Sequence, residues 1–134
     1  MANIAGYLGQ QLINWSLGGG AAVTAGTGRY VAIGLGAPNS TNGSEIATGS
    51  GMTRQTVAFS AAASPTNTAG NSVAMTFGPI SAAATVLGVT IWDTGPGTVG
   101  IGNLLWYGTL TTSRTMNGGD SLVFAIGALQ VSLN

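Results

Sequence analysis

Hydrophobic residues along this chain follow two periods. At the N-terminal end, Ile4, Tyr7, Leu8, Leu12 and Trp15 recur at spacings of three and four, the repeat that lines up side chains on one face of a helix. Gln10, Gln11 and Asn14 fall largely elsewhere. The pattern predicts an amphipathic helix over 3–17. Asn3 is the expected N-cap, since its side-chain oxygen can accept from a free N–H of the first turn. Gly18, Gly19 and Gly20 should end the helix, because glycine takes the left-handed C-cap without steric cost. Gly6 and Gly9 each weaken it by about 1 kcal/mol relative to alanine. Such a helix needs a docked apolar face to persist. The sequence GGGAAVTAGTG at 18–28 then reads as a flexible joint, through which the helix could swing or swap onto a neighbour.

Beyond residue 28 the period falls to two. Tyr30 to Leu35 sets Val31, Ile33 and Leu35 on one face. Thr53 to Phe59 alternates with Val57 and Phe59 together, and Val73, Met75 and Phe77 repeat the pattern. Thr85 to Trp92 is the strongest strand, with Leu87, Val89 and Ile91 facing one way and Val86, Thr90 and Trp92 the other. Bulky groups on both sides mark it as a central or interface strand. Leu104 to Leu110 follows, then a turn on Asn117, Gly118 and Gly119. Leu122, Phe124 and Ile126, and last Leu129, Val131 and Leu133, complete the series. Segments 37–51, 60–71 and 93–103 read as loops, the first expected to face outward. Short strands separated by glycine-rich turns predict an all-β fold, an antiparallel β-sandwich of jelly-roll-like or Ig-like type. One domain spans 1–134, with the helix at 3–17, the joint at 18–28 and the sandwich at 29–134.

Charge changes the picture. Only three Arg and three acidic residues are present in 134, with no Lys, His or Cys and a net charge of zero. An ordinary chain is roughly a quarter charged. A surface made of Ser, Thr, Asn, Gln and backbone has little self-repulsion and tends to associate. Three dispersed Arg cannot track a phosphate backbone, which argues against nucleic acid as a partner. No apolar run reaches the ~18 residues of a membrane span, and the first residues lack the pattern of a signal peptide.

The same scarcity bears on catalysis. Acid–base chemistry needs groups such as His, Asp, Glu or Lys converging on one atom. Glu45, Asp93 and Asp120 are the only carboxylates, in three different loops. Asp93 before Thr94-Gly95, and Asp120 after Gly118-Gly119, read as turn residues. A glycosidase would need two of the three to converge. Zinc is disfavoured without His or Cys. Calcium would have only Asp93 with Thr94, or Glu45 with Asn42 and Ser44, as scattered oxygen ligands. The glycine run at 18–28 follows a helix rather than a strand, the reverse of a nucleotide loop. No cofactor is expected. The aromatics remain: Tyr7, Trp15, Trp92, Trp106 and Tyr107 are the candidate residues for a subunit or shell interface, where a ring buries area and keeps a polar tip wet. Simple core packing is the competing role for the Trp residues.

The C-terminal third carries a resemblance. GVTIWD at 88–93 and GNLLWYGTLTTSRTMNGGDSLVFAIGALQVSLN at 102–134 resemble a family of small phage virion proteins, many of them described as tail fibre proteins. Upstream, the likeness is looser and covers the helix, Tyr30-Val31-Ala32-Ile33 and the stretch from Gly49 to Phe59. This chain departs from the family in a nearly neutral loop after its first strand, in Arg114 at a position usually held by Lys, and in a less charged helix. The resemblance implies a structural virion protein without catalytic residues. The leading expectation is a capsid decoration or cement protein, a small homo-oligomer such as a trimer bracing the head shell against the major capsid protein. The alternative is a tail-fibre or tail-tip component that attaches to the host surface.

Overall fold

The computed structural model describes residues 3–20, 28–46, 50–95 and 101–133. Most of the 18–28 joint lies outside the described residues. The chain opens with a short strand, β1 (Asn3–Ile4), followed by the helix α1 (Gly6–Ser16). Nine strands are present in all among the described residues. After β1 come β2 (Tyr30–Gly34), β3 (Gln55–Thr56), β4 (Thr68–Gly70), β5 (Met75–Phe77), β6 (Ala84–Trp92), β7 (Leu104–Met116), β8 (Leu122–Phe124) and β9 (Gln130–Ser132). A five-stranded antiparallel sheet has the order β1-β7-β6-β2-β3, and two ribbons, β4-β9 and β5-β8, form the second layer. The fold is an all-β sandwich with an N-terminal helix.

The main core lies between the large sheet and the ribbons. Val31 and Ile33 of β2 and Val89 and Ile91 of β6 meet Met75, Phe77, Phe124 and Val131 there. Phe77 and Phe124 pack edge to face, 5.9 Å between centroids, the geometry that the ring quadrupole favours. The opposite face of the sheet holds a smaller cluster of Ala5, Ala32, Trp92 and Leu104, with Tyr107 against it. Among the described residues no helix is long and apolar enough to cross a membrane.

Three differences from the sequence pattern have clear causes. The helix starts at Gly6 rather than Asn3, because Asn3 and Ile4 pair with Tyr107 and Trp106 of β7. Ala5 occupies the N-cap position without a side-chain cap. The glycine stop does hold: Gly18 has φ 72°, and Gly19 N–H donates to Asn14 O. In β6 the alternation breaks. The step from Val86 to Gly88 is matched on β7 by the step from Arg114 to Thr109, so a step of two residues on β6 faces a step of five on β7. The bulge turns Val86 into the main core beside Val89 and leaves Leu87 exposed, as bulges re-aim side chains. Residues 68–70, read as loop, form β4, because β9 supplies a partner for Thr68, Ala69 and Gly70. Tertiary pairing outweighs the weak strand preference of Ala and Gly.

The ends of strands also shift. Leu35 lies past the end of β2, its N–H bonded to Ser44 O, and its side chain is exposed. Ile126 and Leu133 likewise extend beyond β8 and β9 and are exposed. β7 runs on through 111–116, past the predicted end at Leu110.

Candidate functional site

Arg54 organises the face of the sheet away from the main core. It follows the 50–53 turn and precedes β3, and it is 4 % exposed. A buried guanidinium is tolerated only when paired and hydrogen-bonded. Here Nε donates to Glu45 Oε2 at 3.0 Å and Nη2 to Oε1 at 2.6 Å. Nη1 donates to the carbonyls of Thr94 and Ile101, 2.9 Å each. The Trp92 ring lies 4.2 Å from the guanidinium carbon, a desolvated cation–π contact. Trp92 Nε1 donates in turn to Thr90 Oγ1 at 2.9 Å. One cation therefore joins the segment after β2, the entry to β3, and both ends of the 94–101 connection.

Asp93 closes the same connection. Its Oδ1 accepts from Asn103 N–H and Thr94 Oγ1, and its Oδ2 accepts from Asn103 Nδ2 at 2.7 Å. Burial alone would raise its pKa. The bonds from Asn103 backbone, Asn103 side chain and Thr94 outweigh that and hold it below the ordinary aspartate value of 3.8.

Above this network lies a cleft of about 440 Å³, bounded by Tyr7, the 40–45 segment, Trp92 and residues 102–104. The loop that should have faced outward folds back to form it. Pro38, Gly43 and Ile46 are buried, while Ser40, Thr41 and Asn42 stay exposed. Asn39 Oδ1 holds the turn by accepting from the N–H groups of Thr41 and Asn42. Glycine is required at 43, where a Cβ would lie 2.8 Å from Trp92 Cζ2.

The five candidate aromatics separate. Tyr7 is 44 % exposed on the cleft wall, and Trp15 is 55 % exposed near the end of α1. Trp92 is only 4 % exposed, so its ring packs within the chain rather than at its surface. Trp106 and Tyr107 are half-buried on opposite faces of β7, Trp106 against the main core and Tyr107 against the smaller cluster. No residue of α1 is buried. Leu8, Gln11 and Leu12 are half-buried toward the body. Trp15 continues their row at helical spacing but stands open to solvent. Ile13 and Leu17, four apart, are 60 % and 80 % exposed. The outer edge of β7 is paired only at Trp106 and Tyr107. From 108 to 116 no strand lies beside that edge among the described residues.

The carboxylates do not converge on an open site. Glu45 is held by Arg54, Asp93 by Asn103 and Thr94, and Asp120 Oδ2 accepts from Asn117 N–H in the turn before β8. Asp120 bonds within its turn as expected, whereas Asp93 reaches across to Asn103, ten residues on. Both oxygens of Glu45 and both of Asp93 already accept hydrogen bonds within the protein.

Arg54 and Asn71 were not singled out by pattern. Asn71 is 1 % exposed. Its Nδ2 donates to Val73 O and Ala125 O, and its Oδ1 accepts from Leu129 N–H. For Arg54 a signal did exist, because its position is out of phase with Val57 and Phe59, which points it to the opposite face of the alternating segment.

No curated protein matches the chain. One family model, described as Podophage GP4 fiber I protein gp80, matches residues 3–132. That span takes in β1, α1, the whole sandwich and the Arg54 network. The chain therefore belongs to this family of phage fibre proteins and is a phage virion structural protein.

Proposed function

We propose that the chain is a non-enzymatic building block of a phage tail fibre that assembles with copies of itself and serves attachment to the host surface. The family description supports the tail over the head, so the capsid-decoration expectation gives way to its alternative. The observation that carries self-association is the exposed apolar pair Ile13 and Leu17, four apart at the end of α1, with Trp15 open on another side of the helix. Soluble monomers rarely leave such residues clustered at one place. The free edge of β7 adds a second surface. It is rich in Thr, carries one charge at Arg114, and lacks the Lys or Pro with which isolated edges are usually blunted. Every carboxylate is held in an internal bond, in keeping with a scaffold role.

Mapping the chain's density on purified virions tests the location. Copies arranged around the tail are the expected result, and copies on the head lattice overturn it. Light scattering of the purified chain tests the assembly. The expected result is a small oligomer that Trp15→Ser with Leu17→Ser converts to monomer without loss of fold. A monomeric parent chain in solution would count against self-association.

A further inference from the structure

We propose that the cleft between Tyr7, the 40–45 segment and Asn103 is a binding site for a neutral saccharide. Its charge supports this first. The one ionised side chain on its wall is Glu45, and both of that carboxylate's oxygens accept from Arg54. A ligand entering the cleft meets a cancelled ion pair. An anionic ligand finds no cation on the wall, and a cationic ligand finds no free carboxylate.

The polar groups are of the kind that match hydroxyls. Asn42 is fixed by accepting the Ser44 N–H on Oδ1 at 2.8 Å, which turns its Nδ2 donor outward from that bond. Asn103 is fixed by donating Nδ2 to Asp93, which leaves its Oδ1 as an acceptor. One oriented donor and one oriented acceptor, with the hydroxyls of Ser40 and Thr41 beside them, suit a ligand whose every polar group both donates and accepts. Neither amide must reorganise to bind, because each is already held by a bond inside the protein.

Tyr7 supplies the apolar element. Its ring is 44 % exposed on the same wall, where the C–H face of a sugar could stack and the phenol stay wet. The volume of about 440 Å³ is within the range of small-molecule sites. Assigning the ligand to a host-surface glycan rests on the fibre reading; binding itself is read on the purified chain, so either can fail without the other.

The test is an NMR titration of the full chain with maltotriose, cellotriose, galactotriose and N-acetylchitotriose, with sialyllactose as the acidic control. At least one neutral trisaccharide is expected to give saturable shifts at the Asn42 and Asn103 side-chain amides and at Gly43. Tyr7→Ala should weaken that binding about tenfold. Ser40→Trp, which fills the cleft mouth at an exposed position, should abolish it. Both variants should melt like the parent, because neither position is buried. Absence of binding by all four neutral sugars, binding of sialyllactose alone, or shifts that map away from the cleft would each overturn the proposal.

Discussion

The two faces of the large sheet are held by different physics. Toward the ribbons, Val31, Val86 and Phe77 are fully buried among other apolar side chains. Stability there scales with area removed from water, roughly 25 cal/mol per Å². It is spread over many residues and needs no particular partner. Toward the cleft, the apolar cluster is small, and the covering segments are loops. Their order depends on a few directed bonds, donated by Arg54 and accepted by Asp93. The first face should lose stability gradually as its residues are trimmed. The second should fail at once when its one cation is removed.

The largest expected effect tests that contrast directly. Arg54→Met leaves the Glu45 carboxylate buried without its cation and should cost about 3–5 kcal/mol in urea unfolding. Adding Glu45→Leu to it should recover part of the loss, since no charge is then stranded while the Thr94 and Ile101 carbonyls still lack the Arg54 donor. Phe77→Ala in the main core should cost a similar amount, about 3–5 kcal/mol, with no partner change able to restore it. If Arg54→Met costs under 1 kcal/mol, the two faces do not differ in this way.

Asn71 sharpens the comparison, because it is a polar bolt on the apolar side. Asn71→Ala takes their partner from the Val73 carbonyl and the Leu129 N–H, while Ala125 O keeps its bond from Ala128 N–H, and should cost about 3 kcal/mol, measured by thermal melting. Gly43→Ala comes next. A methyl group pressed on Trp92 should cost about 1–3 kcal/mol and shift Trp fluorescence, while Gly119→Ala, with open space around it, should act only through its positive φ.

The smallest effect is in pH. Asp93 is held below 3.8 in the folded chain, so its contribution is full above that ordinary value. It is lost as pH falls through the lower folded value, where the carboxylate takes up its proton. Asp93→Asn should flatten the acid limb of a stability–pH curve. An unchanged limb would mean that the bonds to Asn103 do not outweigh burial.

The two faces were also unequally legible. Period-two patterning found Val31, Ile33, Val89 and Ile91, because alternation directly encodes which side of a strand is buried. It failed at Val86 and Leu87, where a bulge made by β7 reverses the phase, and no local feature of β6 announces an insertion in its neighbour. It missed β4, whose residues become a strand only through β9. On the cleft face the pattern offered little. Arg54 and Glu45 are nine residues apart, and their pairing depends on how two loops fold over Trp92. The aromatics show the same limit, since Trp92 and Trp15 look alike in sequence and differ in whether a loop happens to cover them.

The Arg54–Glu45 pair has a consequence for the chain as a material. Of six charged side chains, these two are withdrawn from the solvent, which leaves Arg29, Arg114, Asp93 and Asp120 for everything outside. Small ions screen charges that they can approach, over about 8–10 Å at ordinary ionic strength, and a sealed pair is beyond their reach. With two positive and two negative groups left outside, the side chains of the exterior balance at neutral pH. Fresh water and brine should therefore look nearly the same to this virion protein.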